Sequence, residues 1–207
     1  MRLEDNIQVL NDGLSEEQLL RLKDYLKTNI KHTLDYFNMN SVNIVIKIIN
    51  NRKELEKLYT NMFNEIPKEY VVGWINDGNG EVYLLNYNDF NNTPHRGKTF
   101  EDYLKTAHHE CVHIIHSYFC NRNYPINAIW EGIACYLSNQ YEEKSLGELT
   151  LSNFLNDSLD YRYYYTLVKK LNMNLSKEEM FGILSSTKDV QPYIEEVLRE
   201  SKRSSLW

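Results

Sequence analysis

Residues Phe100 to Phe119 read FEDYLKTAHHECVHIIHSYF. A polar stretch holding Pro94 and Gly97 ends before it, and its own pattern is helical. At its centre stands His109-Glu110-Cys111-Val112-His113. A helix advances about 100° per residue, which puts His109 and His113 about 40° apart and one turn along. Both imidazoles can therefore face one ion. Glu110 lies about 60° from His113, near enough to take a proton from water at that ion without itself being a ligand. Cys111, about 200° round from His109, faces the core rather than the ion. His116 shares the azimuth of the two ligands one turn on and reads as a packed histidine, whereas His108 points about 100° away and takes no part.

Two histidines do not close a catalytic zinc site, which takes three protein ligands and keeps one open position. The third is expected on a later apolar helix. Glu131 fits: it stands 131 − 113 = 18 residues beyond His113, enough for one helix to end near Tyr124-Pro125 and a second to run back. Gly132 beside it leaves room for a close helix approach. A Gly three residues after His113, followed by a third His or Asp, would define a different zinc site, but His116 and Phe119 occupy those places. The inverted H-x-x-E-H order is absent too.

Upstream of the helix, Ser15 with Gln18 forms a capping-box pattern before Leu19, Leu22, Leu26, Ile30, Leu34 and Phe37, which predicts a long amphipathic helix. Val42 to Ile49 is apolar and β-branched, a strand, and Asn51 with Glu54 then offers a second helix start. Tyr70 to Ile75 and Glu81 to Leu85 flank Asn76-Asp77-Gly78-Asn79-Gly80, which predicts a hairpin. Asn86 to Lys98 reads as a loop. Downstream, Ala128 to Tyr141 predicts a helix, and everything after it is helical in pattern, with Ser176 and Glu179 capping one of the later pieces.

The 207 residues suffice for one substantial domain or two tightly joined subdomains. A net charge of −6 with no long Lys/Arg run argues against nucleic acid as a partner. No apolar stretch approaches the roughly 18 residues of a membrane span, and the acidic start Met1-Arg2-Leu3-Glu4-Asp5-Asn6 is unlike a signal peptide. A cytoplasmic protein is expected. Cys111, Cys120 and Cys135 cannot all pair, and free thiols in a reducing compartment fit them best. Oligomeric state is not legible.

His109-Glu110-x-x-His113, followed by Trp130-Glu131-Gly132-Ile133-Ala134-Cys135-Tyr136, resembles the gluzincins, the thermolysin-like and aminopeptidase-like zinc metallopeptidases, and most of all their small forms, the minigluzincins. The resemblance extends in outline over residues 40–200, although only the zinc motifs are specific. It implies an α+β, zincin-like fold: an N-terminal helix and a small mixed, twisted sheet packed on the active-site helix, then an all-helical C-terminal half. Residues 1–120 would form the first subdomain and 121–207 the second, which carries the glutamate helix, both within one catalytic unit. It also implies Zn²⁺ on His109, His113 and Glu131, Glu110 as general base, and a peptide or protein substrate.

In the aminopeptidase-like relatives a catalytic Tyr opens a helix patterned like Tyr161 to Leu171. Tyr161 is the matching oxyanion donor, with Tyr163, Tyr164 and Tyr165 competing by proximity. The family's arrangement further implies that Gly80 to Leu85 is the sheet edge that aligns an extended peptide. Two departures stand out. Trp130 adjoins Glu131 where the family spaces these residues by about two, and Cys135 occupies a position often acidic or polar. No Gly-x-Met-Glu-Asn motif for a free substrate amine is present, which favours an endopeptidase or short-peptide hydrolase over an aminopeptidase. A zinc-stabilised binding module without turnover is the reading from another class, and the intact Glu110 argues against it.

Overall fold

A computed structural model describes residues 7–156 and 159–204. The acidic start read above as unlike a signal peptide, residues 1–6, lies outside the described residues. The chain divides into two compact units, Met1–Ile115 and His116–Trp207.

The first unit runs β1 (Ile7–Leu10), α1 (Glu16–Tyr36), β2 (Ile44–Ile49), α2 (Arg52–Phe63), β3 (Gly73–Asn76), β4 (Glu81–Leu85) and α3 (Tyr87–Phe90), and then most of α4 (Phe100–Phe119), inside which the division falls. The helix starts follow the caps. Ser15 and Gln18 close a reciprocal capping box on α1, and the Asn51 side chain accepts from the backbone N–H of Glu54 on α2. Leu22, Leu26, Ile30 and Leu34 of α1 are buried together with Ile44, Ile46 and Ile48 of β2 and Val82 and Leu84 of β4. At about 25 cal/mol per Å² of apolar surface removed from water, this shared core is what holds so small a sheet.

The four strands lie in the order β1-β2-β4-β3. β1 and β4 both pair with β2 in parallel, and β3 pairs with β4 in antiparallel fashion, Gly73 opposite Leu84 and Asn76 opposite Glu81. The fold is thus mixed α+β, mostly helical, with a small mixed sheet. Two expectations about this unit need correction. The strand Glu81–Leu85 is internal rather than at the edge, because the hairpin folds β3 onto its outer side. The segment Asn86 to Lys98 is not wholly loop: the Asn86 side chain accepts from the N–H of Asp89 and starts the single turn of α3. The sequence reading also missed β1, whose four residues are ordered by pairing with β2 far along the chain.

The second unit contains α5 (Asn127–Ser138), α6 (Leu151–Leu155), α7 (Tyr161–Asn174), α8 (Lys177–Leu184) and α9 (Gln191–Ser204). The expected helix Ala128 to Tyr141 stops earlier, at Ser138, because Asn139 takes a left-handed conformation, φ 50°, and its N–H caps the last turn. Ile133 of α5, Leu167, Val168 and Leu171 of α7, and Ile194 and Val197 of α9 are buried in this unit. Among the described residues no helix is long and apolar enough to cross a membrane.

Candidate metal centre

α4 begins with a local clamp. The Asp102 carboxylate accepts from the backbone N–H and hydroxyl of Thr99, at 2.8 and 2.9 Å, while Thr99 Oγ1 accepts from the Asp102 N–H at 3.2 Å. No Gly or Pro interrupts the twenty residues that follow, so the 3.6-residue period runs unbroken through the histidines.

The fold sorts four buried imidazoles on this helix. His108 turns to α1, its Nε2 2.8 Å from Thr33 Oγ1 and its ring edge-to-face with Tyr25. Thr33 donates its own proton to the Asn29 carbonyl at 3.0 Å, so His108 is the donor to Thr33. Burial, and then the charge of His109, push the pKa of His108 down to about 3, and the ring stays neutral. His116 donates through Nε2 to the Leu184 carbonyl at 2.8 Å and stacks on Trp130, ring centroids 4.9 Å apart. As expected, neither histidine belongs to the metal group. His109 and His113 turn toward each other instead, Nε2 to Nε2 3.0 Å, rings nearly perpendicular.

Glu131, in the second turn of α5, completes the group. His109, His113 and Glu131 each offer one ligand atom, and these atoms all lie within 4.8 Å of one another. Around a tetrahedral ion with bonds of about 2.0–2.1 Å, ligand atoms stand about 3.4 Å apart. The two nitrogens are within a few tenths of an ångström of that spacing, and the carboxylate can close the remainder by side-chain rotation. Two neutral imidazoles with one carboxylate suit a borderline transition ion and not Ca²⁺ or Mg²⁺, which prefer all-oxygen sets. The residues therefore fit a metal ion. The Cys111 thiol stays out of the group: burial first, and then the charge of Glu110, push its pKa up and keep it protonated.

Glu110 sits on α4 between the two histidines, partly exposed. Its Cγ approaches the backbone of β3, and a Cβ added at Gly73 would come within 3.3 Å of it. A side chain at position 73 would also come within 3.1 Å of the Tyr83 carbonyl oxygen, so glycine eases this close approach. Gly132 plays the same part on α5. A Cβ there would meet Val168 Cγ2 at 2.5 Å and the Tyr164 carbonyl oxygen at 2.7 Å, so α5 crosses α7 backbone to backbone beside Glu131.

Tyr161 is the first residue of α7, which is capped by Asp160, and its ring packs on Tyr164 at 5.9 Å. It thus stands one turn before the crossing at Gly132 and is 37% exposed. Tyr164, at the crossing itself, and Tyr165 are buried. Tyr141, not singled out from the sequence, also lies in the electrostatic reach of Glu131. Burial, followed by the charges of Cys135, Asp160 and Glu131, pushes its phenol pKa up. With 16 tyrosines in the chain, no local signal marks it.

No family model, curated protein or solved structure matches the chain.

Proposed function

We propose that the chain is a zinc metallopeptidase of the gluzincin type that hydrolyses peptide bonds, as an endopeptidase or short-peptide hydrolase. The observation that carries this reading is the convergence of His109, His113 and Glu131 within 4.8 Å, with Glu110 between the two histidines on α4. When bound, zinc would supply a Lewis acid that acidifies water and polarises the scissile carbonyl.

The chain's own residues carry the remaining work. Glu110 accepts the proton from the attacking water as its oxygen bonds to the carbonyl carbon. Glu110 then returns that proton to the departing amine nitrogen as the C–N bond breaks, so the carboxylate ends as it began. Tyr161 donates a hydrogen bond to the oxyanion that forms between these steps. The outer side of β3, the edge strand beside Glu110, can pair with an extended peptide backbone.

Zinc content and cleavage of a mixed peptide library, measured for the parent, Glu110→Gln and Glu131→Ala, test the reading. One zinc per chain is expected in the parent and in Glu110→Gln, with cleavage lowered on the order of 10²–10⁴-fold in the latter. Glu131→Ala should keep its fold and lose zinc. A zinc-loaded parent that cleaves no peptide would refute hydrolysis and favour a zinc-stabilised binding module.

A further inference from the structure

The Arg52 side chain, at the first position of α2, engages all five of its N–H groups. Nε donates to Glu56 Oε1 at 2.9 Å. Nη1 donates to the carbonyls of Val71 at 2.5 Å and Glu69 at 3.3 Å, and Nη2 to those of Lys68 at 3.0 Å and Pro67 at 3.4 Å. Four carbonyls of one five-residue run thus converge on a single planar cation. The fifth, Tyr70 O, is held by His95 Nε2 at 3.0 Å, and the backbone N–H of Arg52 is itself anchored on Asp89 Oδ2 at 2.5 Å.

This run leads directly into the strand that touches the site. Val72 O accepts from the Leu85 N–H at 2.8 Å, the pairing of β3 with β4 begins at Gly73, and the bare backbone of Gly73 bounds the Glu110 side chain. The Lys68 carbonyl also closes a turn on the Val71 N–H at 3.0 Å, but without the guanidinium the carbonyls of Pro67, Glu69 and Val71 would turn to water. The guanidinium fork supplies donors in the plane and number required, which the three rotatable donors of lysine do not.

We propose that Arg52 is a positioning residue for Glu110: by gathering the carbonyls of residues 67–71 it sets where β3 starts, and β3 through Gly73 sets where the Glu110 carboxylate can stand. The catalytic meaning of this placement rests on the peptidase reading above, whereas the placement itself does not.

The test uses the full chain as parent, Arg52→Ala and Arg52→Lys, with two readouts. The first needs no activity: the NOE between the Gly73 α-protons and the Glu110 γ-protons in the metal-free protein, with amide exchange of residues 67–76. The NOE should be strong in the parent, absent in Arg52→Ala with faster exchange, and restored when guanidinium chloride is added at low, non-denaturing millimolar concentration. The second is kcat on a peptide the parent cleaves. It should fall on the order of 10- to 100-fold in Arg52→Ala at unchanged zinc content and recover with guanidinium. Arg52→Lys, which keeps the charge, should fold and show an intermediate loss in both. An unchanged NOE and exchange pattern in Arg52→Ala overturns the proposal; if that variant does not fold, an unchanged pattern in Arg52→Lys overturns it. A parent that cleaves no peptide refutes the peptidase reading alone, and the NOE then still decides the role of Arg52.

Discussion

Replacing Gly132 by alanine opposes two terms of known sign. Alanine is favoured over glycine inside a helix by about 1 kcal/mol, so α5 alone would gain. Against this, the new methyl would lie 2.7 Å from the Tyr164 carbonyl oxygen and 2.5 Å from Val168 Cγ2, where ordinary contact begins at 3.4 Å. Val168 can rotate. The carbonyl belongs to the backbone of α7 and cannot, so α5 must retreat by about 0.7 Å (3.4 − 2.7). Overpacking of this kind costs about 1–3 kcal/mol, occasionally more, which leaves a net loss of up to about 2 kcal/mol. If the group of His109, His113 and Glu131 holds zinc, the same retreat moves Glu131, next to Gly132, and zinc affinity should fall on the order of tenfold, about 1.4 kcal/mol. Urea unfolding of the metal-free protein and zinc competition against a chromophoric chelator measure the two effects. Gly182→Ala is the comparison: its Cβ meets Cγ and Cδ of the Lys188 side chain at 2.7 Å and not a backbone carbonyl, so it should cost less than Gly132→Ala. A Gly132→Ala protein as stable as its parent, with unchanged zinc affinity, would refute the close crossing.

Asp160→Ala should destabilise α7 by about 1 kcal/mol at neutral pH through loss of its cap. The Arg162 side chain, opposed by partial burial and aided by the Arg162 N–H, holds the Asp160 carboxyl below the usual carboxylate range. Its contribution is therefore complete above the unfolded pKa of about 3.9 and fades as pH falls through the folded value. Urea midpoints of parent and variant should converge on acidification, while Asp160→Asn, a cap without charge, should show no such convergence. If the group at His109, His113 and Glu131 holds zinc, free zinc at about 100 times its dissociation constant should stabilise the parent by about 2.7 kcal/mol. A chelator should remove that increment, and identical unfolding curves with zinc and with chelator would exclude a folded-state site.

What could be read in advance was local. Ser15 with Gln18, Asn51 with Glu54 and Ser176 with Glu179 each satisfy backbone donors within one turn, and all three caps stand where the residues predicted. The same logic at Asn86 and Asp89 marks α3, although Pro94 and Gly97 give that stretch the pattern of a loop. His109 and His113 were legible for a related reason, since a four-residue step fixes two directions on one helix. Glu131 required only the count of residues back to a second helix and its glycine neighbour. Strand order was not legible: nothing in Glu81–Leu85 says whether β3 or solvent takes its outer side. β1 depends on a partner across the whole of α1. Arg52 and Gly73 were hidden most completely, because one works through carbonyl groups that every residue shares and the other through the absence of a side chain.

His108, His109, His113 and His116 fall within nine residues of one helix, an arrangement that invites misloading when metal is abundant. A string of imidazoles free to rotate would bind several ions weakly and exchange them among overlapping pairs. Nε2 of His108 faces Thr33 and Nε2 of His116 the Leu184 carbonyl, both rings are buried, and neither joins the group of His109, His113 and Glu131. If that group holds an ion, burial and orientation of the two flanking rings limit the helix to a single equivalent even in metal excess.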